Sequence, residues 1–336
     1  MAPKRIFLIQ TAFLGDVILS TNLPRAIKRI YPEAELDLVL IPSTRAIFAH
    51  DLHVNRIWVF DKGRFPRKVI SFFQLVKNLR RRRYGLAISL HVSLTSSLIM
   101  LLSGAKERLG YPRQRHTTMS VDLPKGIPVV KRGLLLLKAL SDEEFDHQTE
   151  LFVPPGTQAR VENFLAANSL KPEKLVALAP GSVRATKRWL PQYYAQVLKD
   201  LEGKGYKTVL VGGKQDKQLC ERIIRDAKTR TVNAAGKFDI LGSAWLIRNC
   251  RLLISNDSAP LHLANAVRTP VLAIFGPTVK RFGFFPFRGC DRVLQIDLDC
   301  RPCGKHGHRR CPRGHFKCMA LISPEQVVNT ALEMLQ

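Results

Sequence analysis

Short apolar runs alternate with longer amphipathic stretches along most of the chain. The runs are rich in Leu, Val and Ile and end at polar residues or glycine, as buried strands of a parallel sheet do. We predict strands at residues 4–9, 35–40, 55–60, 86–90, 175–178, 207–211, 231–234, 251–254, 271–275 and 293–296. We predict helices at residues 16–30, 68–82, 191–202, 216–226, 240–249, 261–267 and 324–335.

This alternation is the pattern of repeated βαβ units, and it predicts an α/β protein with parallel sheets. The strands fall into two sets separated by a proline and glycine break at residues 154–156, and 336 residues exceed the usual size of a single core. We therefore predict two Rossmann-like domains, residues 1–155 and 156–336, facing each other across a central cleft. Each would bind ligands at the carboxyl ends of its strands.

Two segments of the C-terminal half have the character of phosphate-binding turns. Residues 255–266 follow an apolar run and open a helix, which Asp257 or Ser258 can cap and whose first turn suits Pro260. The free amides and the macrodipole at such a helix start attract phosphate. Residues 180–189, PGSVRATKRW, form a second turn of this kind after a strand. Two anion-binding turns in one domain predict a nucleotide diphosphate ligand.

Asp16 follows the first predicted strand at the point where a helix opens, the position at which a doubly wound sheet presents functional groups. A carboxylate there can act as a general base on a hydroxyl of the substrate. An ordinary helix-start carboxylate, stabilised by the dipole, explains the same position. The neighbouring glycines do not follow GxGxxG spacing, which disfavours a nicotinamide or flavin site.

The chain is strongly basic, with a formal net charge of +26 and a sequence pI near 10.2. Such a charge attracts polyanions: nucleic acid, anionic lipid or an acidic glycolipid. A coat of Lys and Arg that only solubilises the protein is the alternative. The longest apolar runs are far shorter than a membrane-spanning helix requires, and the short run near the amino terminus suits a first strand rather than a signal peptide.

Cysteines are concentrated near the C-terminus. An odd total of seven in a chain without an export signal indicates reduced thiols in the cytosol. Cys300, Cys303, Cys311 and Cys318, with histidines among them, make a structural zinc site a chemical option. The second pair lacks CxxC spacing, so small hydrophobic side chains or a local disulfide explain the cluster as well.

Several of these segments together resemble the ADP-heptose:lipopolysaccharide heptosyltransferases, in particular the heptosyltransferase II type. The segments are Gly15-Asp16 before a proline-containing helix, TKRW at 186–189, Gly212-Gly213 with Asp216, and NDSAPLHLANAVRTPVLAIFGPT at 256–278. The resemblance implies a GT-B fold with an N-terminal acceptor domain and a C-terminal nucleotide-sugar domain. It implies an inverting, metal-independent transfer of L-glycero-D-manno-heptose from ADP-heptose, without a cofactor. The implied acceptor is Kdo-lipid A or heptosyl-Kdo-lipid A, at the cytoplasmic face of the inner membrane.

The resemblance also implies roles for individual residues. Asp16 corresponds to the catalytic base, and Lys187 to the lysine that binds the diphosphate and offsets charge on the departing ADP. The implied donor-binding residues are Ser182 for the phosphates, Asp216 for the ribose, Phe238 for the adenine, Asp257 for the heptose hydroxyls, Ser258 and Ala259 for phosphate through their amides, and His262. Val183 stands where some members carry a second hydroxyl. For Phe238, a core aromatic is an equal interpretation.

The basic residues have a natural partner in an anionic acceptor. Arg113 and Arg115 are candidates for binding it. Residues 64–68 and 80–83, with Phe65, Phe72 and Phe73 nearby, suit a peripheral contact with the membrane surface, or a merely solvated face. Two other functions stay open: a transferase for a different nucleotide sugar, and a basic nucleic-acid-binding protein. We expect no nucleic-acid partner, because no recognised RNA or DNA motif is present.

Overall fold

The computed structural model describes residues 2–336. The chain divides into two compact α/β units, Met1–Phe152 and Val153–Gln336. Among the residues described, no helix is both long enough and apolar enough to cross a membrane.

The first unit is built on a parallel sheet that is covered by helices. Its described strands are β1 Arg5–Ile9, β2 Glu35–Leu40, β3 Arg56–Val59, β4 Leu86–Ser89, β5 Glu107–Gly110 and β6 Met119–Ser120. Its described α-helices are α1 Leu14–Ile18, α2 Leu23–Ile30, α3 Arg67–Arg82, α4 Leu94–Leu102 and α5 Val129–Leu136. The strands lie in the order β3-β2-β1-β4-β5-β6, and every pair is parallel. The central strands are buried on both faces, which explains their nearly continuous apolar sequences.

The second unit repeats this architecture. Its described strands are β7 Leu175–Ala179, β8 Lys207–Leu210, β9 Val232–Asn233, β10 Leu252–Asn256, β11 Val271–Phe275 and β12 Arg292–Gln295. Its described α-helices are α6 Pro155–Ala167, α7 Pro191–Gly203, α8 Lys217–Ala227, α9 Ile240–Arg248, α10 Ala259–Ala266, α11 Lys317–Ala320 and α12 Pro324–Leu335. The strand order is β12-β11-β10-β7-β8-β9, again parallel throughout.

In both units the first strand lies at the centre and the chain winds outward to each side in turn. The winding direction reverses between β1 and β4 in the first unit, and between β7 and β10 in the second. At such a switch point the connections leave the sheet in opposite directions and open a crevice at the carboxyl ends of the strands. The predicted α/β class with two Rossmann-like units is therefore confirmed.

The helix predicted at residues 16–30 is wrong as a single element. The structure has α1 and α2 separated by a turn in which the Ser20 and Thr21 hydroxyls donate to the carbonyl oxygens of Val17 and Ile18. Pro24 explains the break, since it has no N–H for a helical bond and its ring clashes with the preceding turn. It occupies the first turn of α2, where proline is tolerated.

Other differences lie where local signals conflict. Residues 154–156, interpreted as a break, lead directly into α6, because proline in a first helical turn starts a helix. The sequence prediction omitted α4, whose apolar residues do not keep to one face. Its start is marked by Ser93, whose side chain accepts a hydrogen bond from the amide of Ser96 at 3.1 Å.

Trp189 anchors the second unit's core next to the predicted phosphate loop. Its side chain is fully buried, lies edge-on to Tyr193 and Tyr194, and donates from Nε1 to the carbonyl oxygen of Ile322 at 3.1 Å. The indole thus has its large apolar surface and its one polar group both satisfied. The loop that ends at Trp189 is fixed to the core at that end.

Candidate active site

The topology of the second sheet brings the two predicted phosphate turns together. Strands β7 and β10 are neighbours, with Ala179 opposite Ser255 at their carboxyl ends. Residues 180–189 leave the first strand and residues 257–262 leave the second. The two turns therefore start side by side at the switch point, although 76 residues separate Pro180 from Asn256.

Asn256, the last residue of β10, holds the first turn in place. Its side-chain Nδ2 donates to the carbonyl oxygen of Pro180 at 2.8 Å, and its Oδ1 accepts from the backbone amide of Trp189 at 3.0 Å. The side chain is completely buried. One asparagine thus binds both ends of the 180–189 loop, which fixes the path of the residues between them.

Lys187 and Asp257 form an ion pair at the centre of this site. The distance from Lys187 Nζ to Asp257 Oδ2 is 2.6 Å, and the two side chains are 14% and 6% exposed. Thr278, just after β11, donates its hydroxyl to the same Oδ2 at 2.6 Å. The carboxylate therefore has two short, charge-assisted contacts in a largely desolvated place, where such contacts are strong. Thr278 was not singled out from the sequence, although it ends the FGPT segment.

The start of α10 is arranged to receive an anion. Ser258 is the N-cap residue, and no side-chain capping hydrogen bond is recorded there among the described residues. Asp257, which was predicted as an alternative cap, is instead bound to Lys187 and Thr278. Pro260 has no N–H and the amide of Leu261 donates to the carbonyl oxygen of Ser258 at 3.2 Å, so the amide of Ala259 is the first donor that α10 presents at the positive end of its dipole.

His262 lies on α10 and is buried, with 4% of its surface exposed. Burial lowers the pKa of His262 to about 4, the charge of Lys187 acts in the same direction, and Asp257 opposes it. No hydrogen-bond partner for Nδ1 is found among the described residues. His262 is therefore a neutral imidazole at neutral pH, with one ring nitrogen still able to make a hydrogen bond.

Ser182 and Asp216 lie where the backbone at Gly181 passes close to the Asp216 side chain. Ser182 is half-buried, and its carbonyl oxygen accepts from Arg188 Nε at 2.7 Å. Asp216 is buried and accepts from the amide of Gly213 at 2.9 Å. A Cβ on Gly181 would lie 2.4 Å from Asp216 Oδ1, so only glycine fits in the phosphate loop at that point. The carboxylate of Asp216 thus holds the backbone at Gly213. Its contact with the ribose stays a prediction.

Phe238 is half-buried against α6. Its ring is perpendicular to that of Phe164 at 5.2 Å, and the guanidinium of Arg160 lies 5.6 Å from the ring centre. These contacts fit the structural interpretation of Phe238 as a packing residue with a cation–π partner. Its contact with adenine stays a prediction.

In the first unit, polar groups gather at the ends of β1 and β4. Asp16 is half-buried in the first turn of α1, and its carbonyl oxygen accepts from Gln10 Nε2 at 3.4 Å. Lys62 donates to the carbonyl oxygen of Thr11 at 2.6 Å, and the Thr11 hydroxyl lies 3.2 Å from His91 Nδ1. These contacts place Lys62 and His91 at the same edge of the sheet as Asp16.

Lys62 and His91 were missed from the sequence, although each closely follows a predicted strand. Burial lowers the pKa of Lys62, and the positive charge of Lys68 lowers it further. Burial also lowers the pKa of His91, and the charge of Lys62 adds a smaller effect in the same direction. The Nζ of Lys62 thus donates to a backbone carbonyl near the ring of His91. Both side chains lie at the edge of the sheet that presents Asp16.

Arg113 and Arg115 are both exposed and lie in the turn between β5 and β6. Strand β4 separates β5 from β1 in the sheet. The two arginines are therefore displaced sideways from the switch point, and their role in acceptor binding stays a prediction.

The tail cysteines are all free thiols. Cys303 Sγ donates to the carbonyl oxygen of Cys300 at 3.1 Å, and Cys300 Sγ lies 3.8 Å from His315 Nε2. Across residues 2–336, no three His, Cys, Asp or Glu side chains are grouped so that they could hold a metal ion. Cys311 and Cys318, like the other two, are therefore not placed as zinc ligands. The local disulfide that we also considered is not formed.

The topology of the two Rossmann-like units defines the class of the fold, which is the GT-B class.

Comparison with known proteins identifies the family. The sequence profile of glycosyltransferase family 9 (heptosyltransferase) matches residues 72–312, and the chain belongs to this family. Lipopolysaccharide heptosyltransferase 3 of Escherichia coli is 29% identical over 279 residues, covering 79% of this chain and 82% of that protein.

Solved structures agree on the fold. A family 9 glycosyl transferase from Veillonella parvula DSM 2008 superposes with a TM-score of 0.87 at 23% identity, covering 99% of this chain and 97% of the other. The ADP-heptose LPS heptosyltransferase II of E. coli superposes with a TM-score of 0.77 at 23% identity and 98% coverage of both chains.

Proposed function

We propose that this enzyme transfers L-glycero-D-manno-heptose from ADP-heptose to the inner core of lipopolysaccharide, with inversion at the anomeric carbon. The observation that carries the proposal is the Lys187–Asp257–Thr278 cluster beside the start of α10. Family membership supports heptosyl transfer, and relatives are named lipopolysaccharide heptosyltransferases.

The donor binds with its diphosphate against the amides of Ser258 and Ala259 and the ammonium of Lys187. As the glycosidic C–O bond breaks, negative charge grows on the departing ADP, and Lys187 stabilises it electrostatically. Asp257 orients the lysine through Oδ2 and accepts hydrogen bonds from heptose hydroxyls with its other oxygen. The neutral His262 contributes a hydrogen bond without adding charge to the site.

Asp16 acts as the general base. The acceptor hydroxyl attacks the anomeric carbon from the face opposite ADP, the new C–O bond forms as the old one breaks, and the hydroxyl proton passes to the Asp16 carboxylate. The position of Asp16 in the first turn of α1, at the switch point of the first sheet, supports this role.

The acceptor is Kdo-lipid A or heptosyl-Kdo-lipid A, whose carboxylates and phosphates are anionic. Lys62 and His91 line the edge of the sheet that also presents Asp16, and they are the residues best placed to bind an acidic sugar there. Arg113 and Arg115 supply further positive charge on the same unit.

A membrane contact at the start of α3 completes the proposal. Phe65, Ile70 and Phe73 are 83%, 51% and 64% exposed, beside the basic residues at 64, 67 and 68. Exposed aromatic and basic residues together suit an anionic leaflet, where each Lys or Arg contributes about 1 kcal/mol. Arg82, from the run at 80–83, is bound to Glu35 at 2.5 Å and so serves the fold instead.

The test is transfer from ADP-heptose to each of the two acceptors in EDTA, comparing wild type with Asp16→Asn and Lys187→Ala. We expect product from one acceptor, a loss of about 10²-fold or more in kcat for Asp16→Asn with ADP binding retained, and weakened ADP binding for Lys187→Ala. Product from another nucleotide sugar, with none from ADP-heptose, refutes the donor. Full activity in Asp16→Asn refutes the base.

Vesicle sedimentation tests the membrane contact separately. Binding of wild type to vesicles containing anionic lipid should fall in Phe65→Ser/Phe73→Ser, while Leu321→Ser, at an exposed apolar position of the second unit, should bind the vesicles as wild type does. Equal binding by the Phe65/Phe73 variant argues against α3 as the contact.

A further inference from the structure

The turn at residues 301–308, here called the clamp turn, contacts both loops that end at the donor site. On one side it binds the segment after β11. Arg301 Nη2 donates to the carbonyl oxygen of Thr278 at 2.8 Å, and the amide of Cys303 donates to the carbonyl oxygen of Pro277 at 3.2 Å. Two hydrogen bonds to its carbonyl oxygens thus fix the backbone that presents the Thr278 hydroxyl to Asp257.

On its other side the clamp turn binds the 3-10 turn Ala185–Lys187. The amide and hydroxyl of Thr186 donate to the carbonyl oxygen of His308 at 3.2 and 3.0 Å, and the amide of His308 donates back to the Thr186 hydroxyl at 2.7 Å. Thr186 is buried, and the bonds through its hydroxyl are partly buried. They fix the residue immediately before Lys187.

Gly307 brings the clamp turn into direct contact with the lysine. A Cβ built on it would lie 3.1 Å from Thr186 Oγ1 and 3.2 Å from Lys187 Cγ, both tighter than ordinary contacts. The ring of His308 contacts the carbonyl oxygen of Cys303, which closes the turn on itself. The turn is therefore one connected piece, with the lysine stem packed against it.

We infer that the clamp turn positions the donor-diphosphate site, with Arg301 and Gly307 as positioning residues that act through Thr278 and Lys187. The two loops it joins supply the two groups that meet on Asp257 Oδ2, so their separation is set by the turn between them. This inference rests on the proposed function for its kinetic consequence. Its geometric consequence, the fixed place of Lys187, is independent of the reaction.

A matched pair of glycine variants tests the inference. Gly307 and Gly314 both have positive φ, +75° and +73°, but a Cβ on Gly314 meets nothing within 4 Å. Gly307→Ala and Gly314→Ala therefore carry similar backbone strain, and only the first displaces Thr186 and Lys187. We expect Gly307→Ala to weaken ADP binding about tenfold, as losing a hydrogen bond to a charged group does, and Gly314→Ala to bind ADP as wild type does.

Arg301 provides an independent series. Arg301→Met should raise KM for the donor and lower kcat while the melting temperature falls no further than in Gly314→Ala. Arg301→Lys should restore part of the loss, because it keeps the charge but not the two-nitrogen fork. A merely structural role predicts loss of Tm without this kinetic pattern.

Amine labelling of Lys187 separates the inference from the proposed function. We expect the ε-amino group to react faster with an acylating reagent in Gly307→Ala and Arg301→Met than in wild type and Gly314→Ala, as read by mass spectrometry without any substrate. Faster labelling supports the clamp even if ADP-heptose proves not to be the donor. Unchanged labelling in both variants overturns it, whatever the activity.

Discussion

The buried His262 makes the stability of the second unit depend on pH in a way that can be calculated. Its pKa lies near 4 in the folded protein, against 6.5 for the free side chain. The unfolded chain therefore binds a proton at a pH where the folded protein does not. His262 has little effect on the free energy of unfolding above pH 6.5. It lowers that free energy progressively as the pH falls from 6.5 towards 4.

The size of the effect follows from the two pKa values. By linkage, His262 lowers the free energy of unfolding by about 2 kcal/mol at pH 5 and about 3 kcal/mol at pH 4. Other groups also titrate in this range, so the measurable quantity is the difference between wild type and His262→Gln, in which the remaining groups cancel.

The assay is urea unfolding followed by tryptophan fluorescence at pH 7, 6, 5 and 4, fitted to separate transitions if the two units unfold independently. The substitution has its own cost at pH 7. Compared with its value at pH 7, the difference in free energy of unfolding between wild type and His262→Gln should change by about 2 kcal/mol in favour of the variant at pH 5. Parallel curves for wild type and His262→Gln would show that the imidazole is not kept neutral by burial.

Three further substitutions test the donor site. Thr278→Val removes the hydroxyl bound to Asp257 and should weaken ADP binding by about 1.5–3 kcal/mol in calorimetry, and unchanged affinity would contradict the short contact. Asn256→Ala breaks both loop bonds and should destabilise the second unit by about 2–3 kcal/mol in urea unfolding, so a loss below ~0.5 kcal/mol refutes its anchoring role. Gly181→Ala should cost about 1–3 kcal/mol through the clash at 2.4 Å, whereas Gly203→Ala, with open space around its Cβ, should be neutral or stabilising, and equal effects would refute the tight fit.

Local pattern predicts most of this fold because buried parallel strands differ sharply from their surroundings. The apolar strands β1, β7, β10 and β11 stand out in the sequence and were predicted, as was the short β9. Strand β5 begins with two charged residues and β6 has only two residues, and neither was predicted. The effect of proline depends on its position in a helix: Pro24 divides a predicted helix, and the prolines at 154 and 155 begin one. The sequence around a proline does not show whether it falls in a first helical turn or in a helix interior.

Lys187 and Asp257 were both predicted for the donor site: the turns that contain them follow strands, and the resemblance to the heptosyltransferases implied the role of each residue. That they form a pair depends on β7 lying next to β10, and local periodicity carries no information on strand order. The clamp turn is still less accessible from sequence, since its bonds join residues 122 apart, Thr186 and His308. Lys62 and His91 are single residues that follow β3 and β4, and no local motif marks either of them.

The double hold of Asn256 on the 180–189 loop has a consequence for the thermodynamics of donor binding. A loop tied at both ends to a central strand has little conformational freedom to lose when a ligand arrives, so the entropy cost of ordering the receptor is small. We therefore expect the 180–189 loop to move little when the nucleotide binds. Affinity for the nucleotide should then come from the enthalpy of contacts made, and an asparagine that touches no ligand would be among the residues on which that affinity depends.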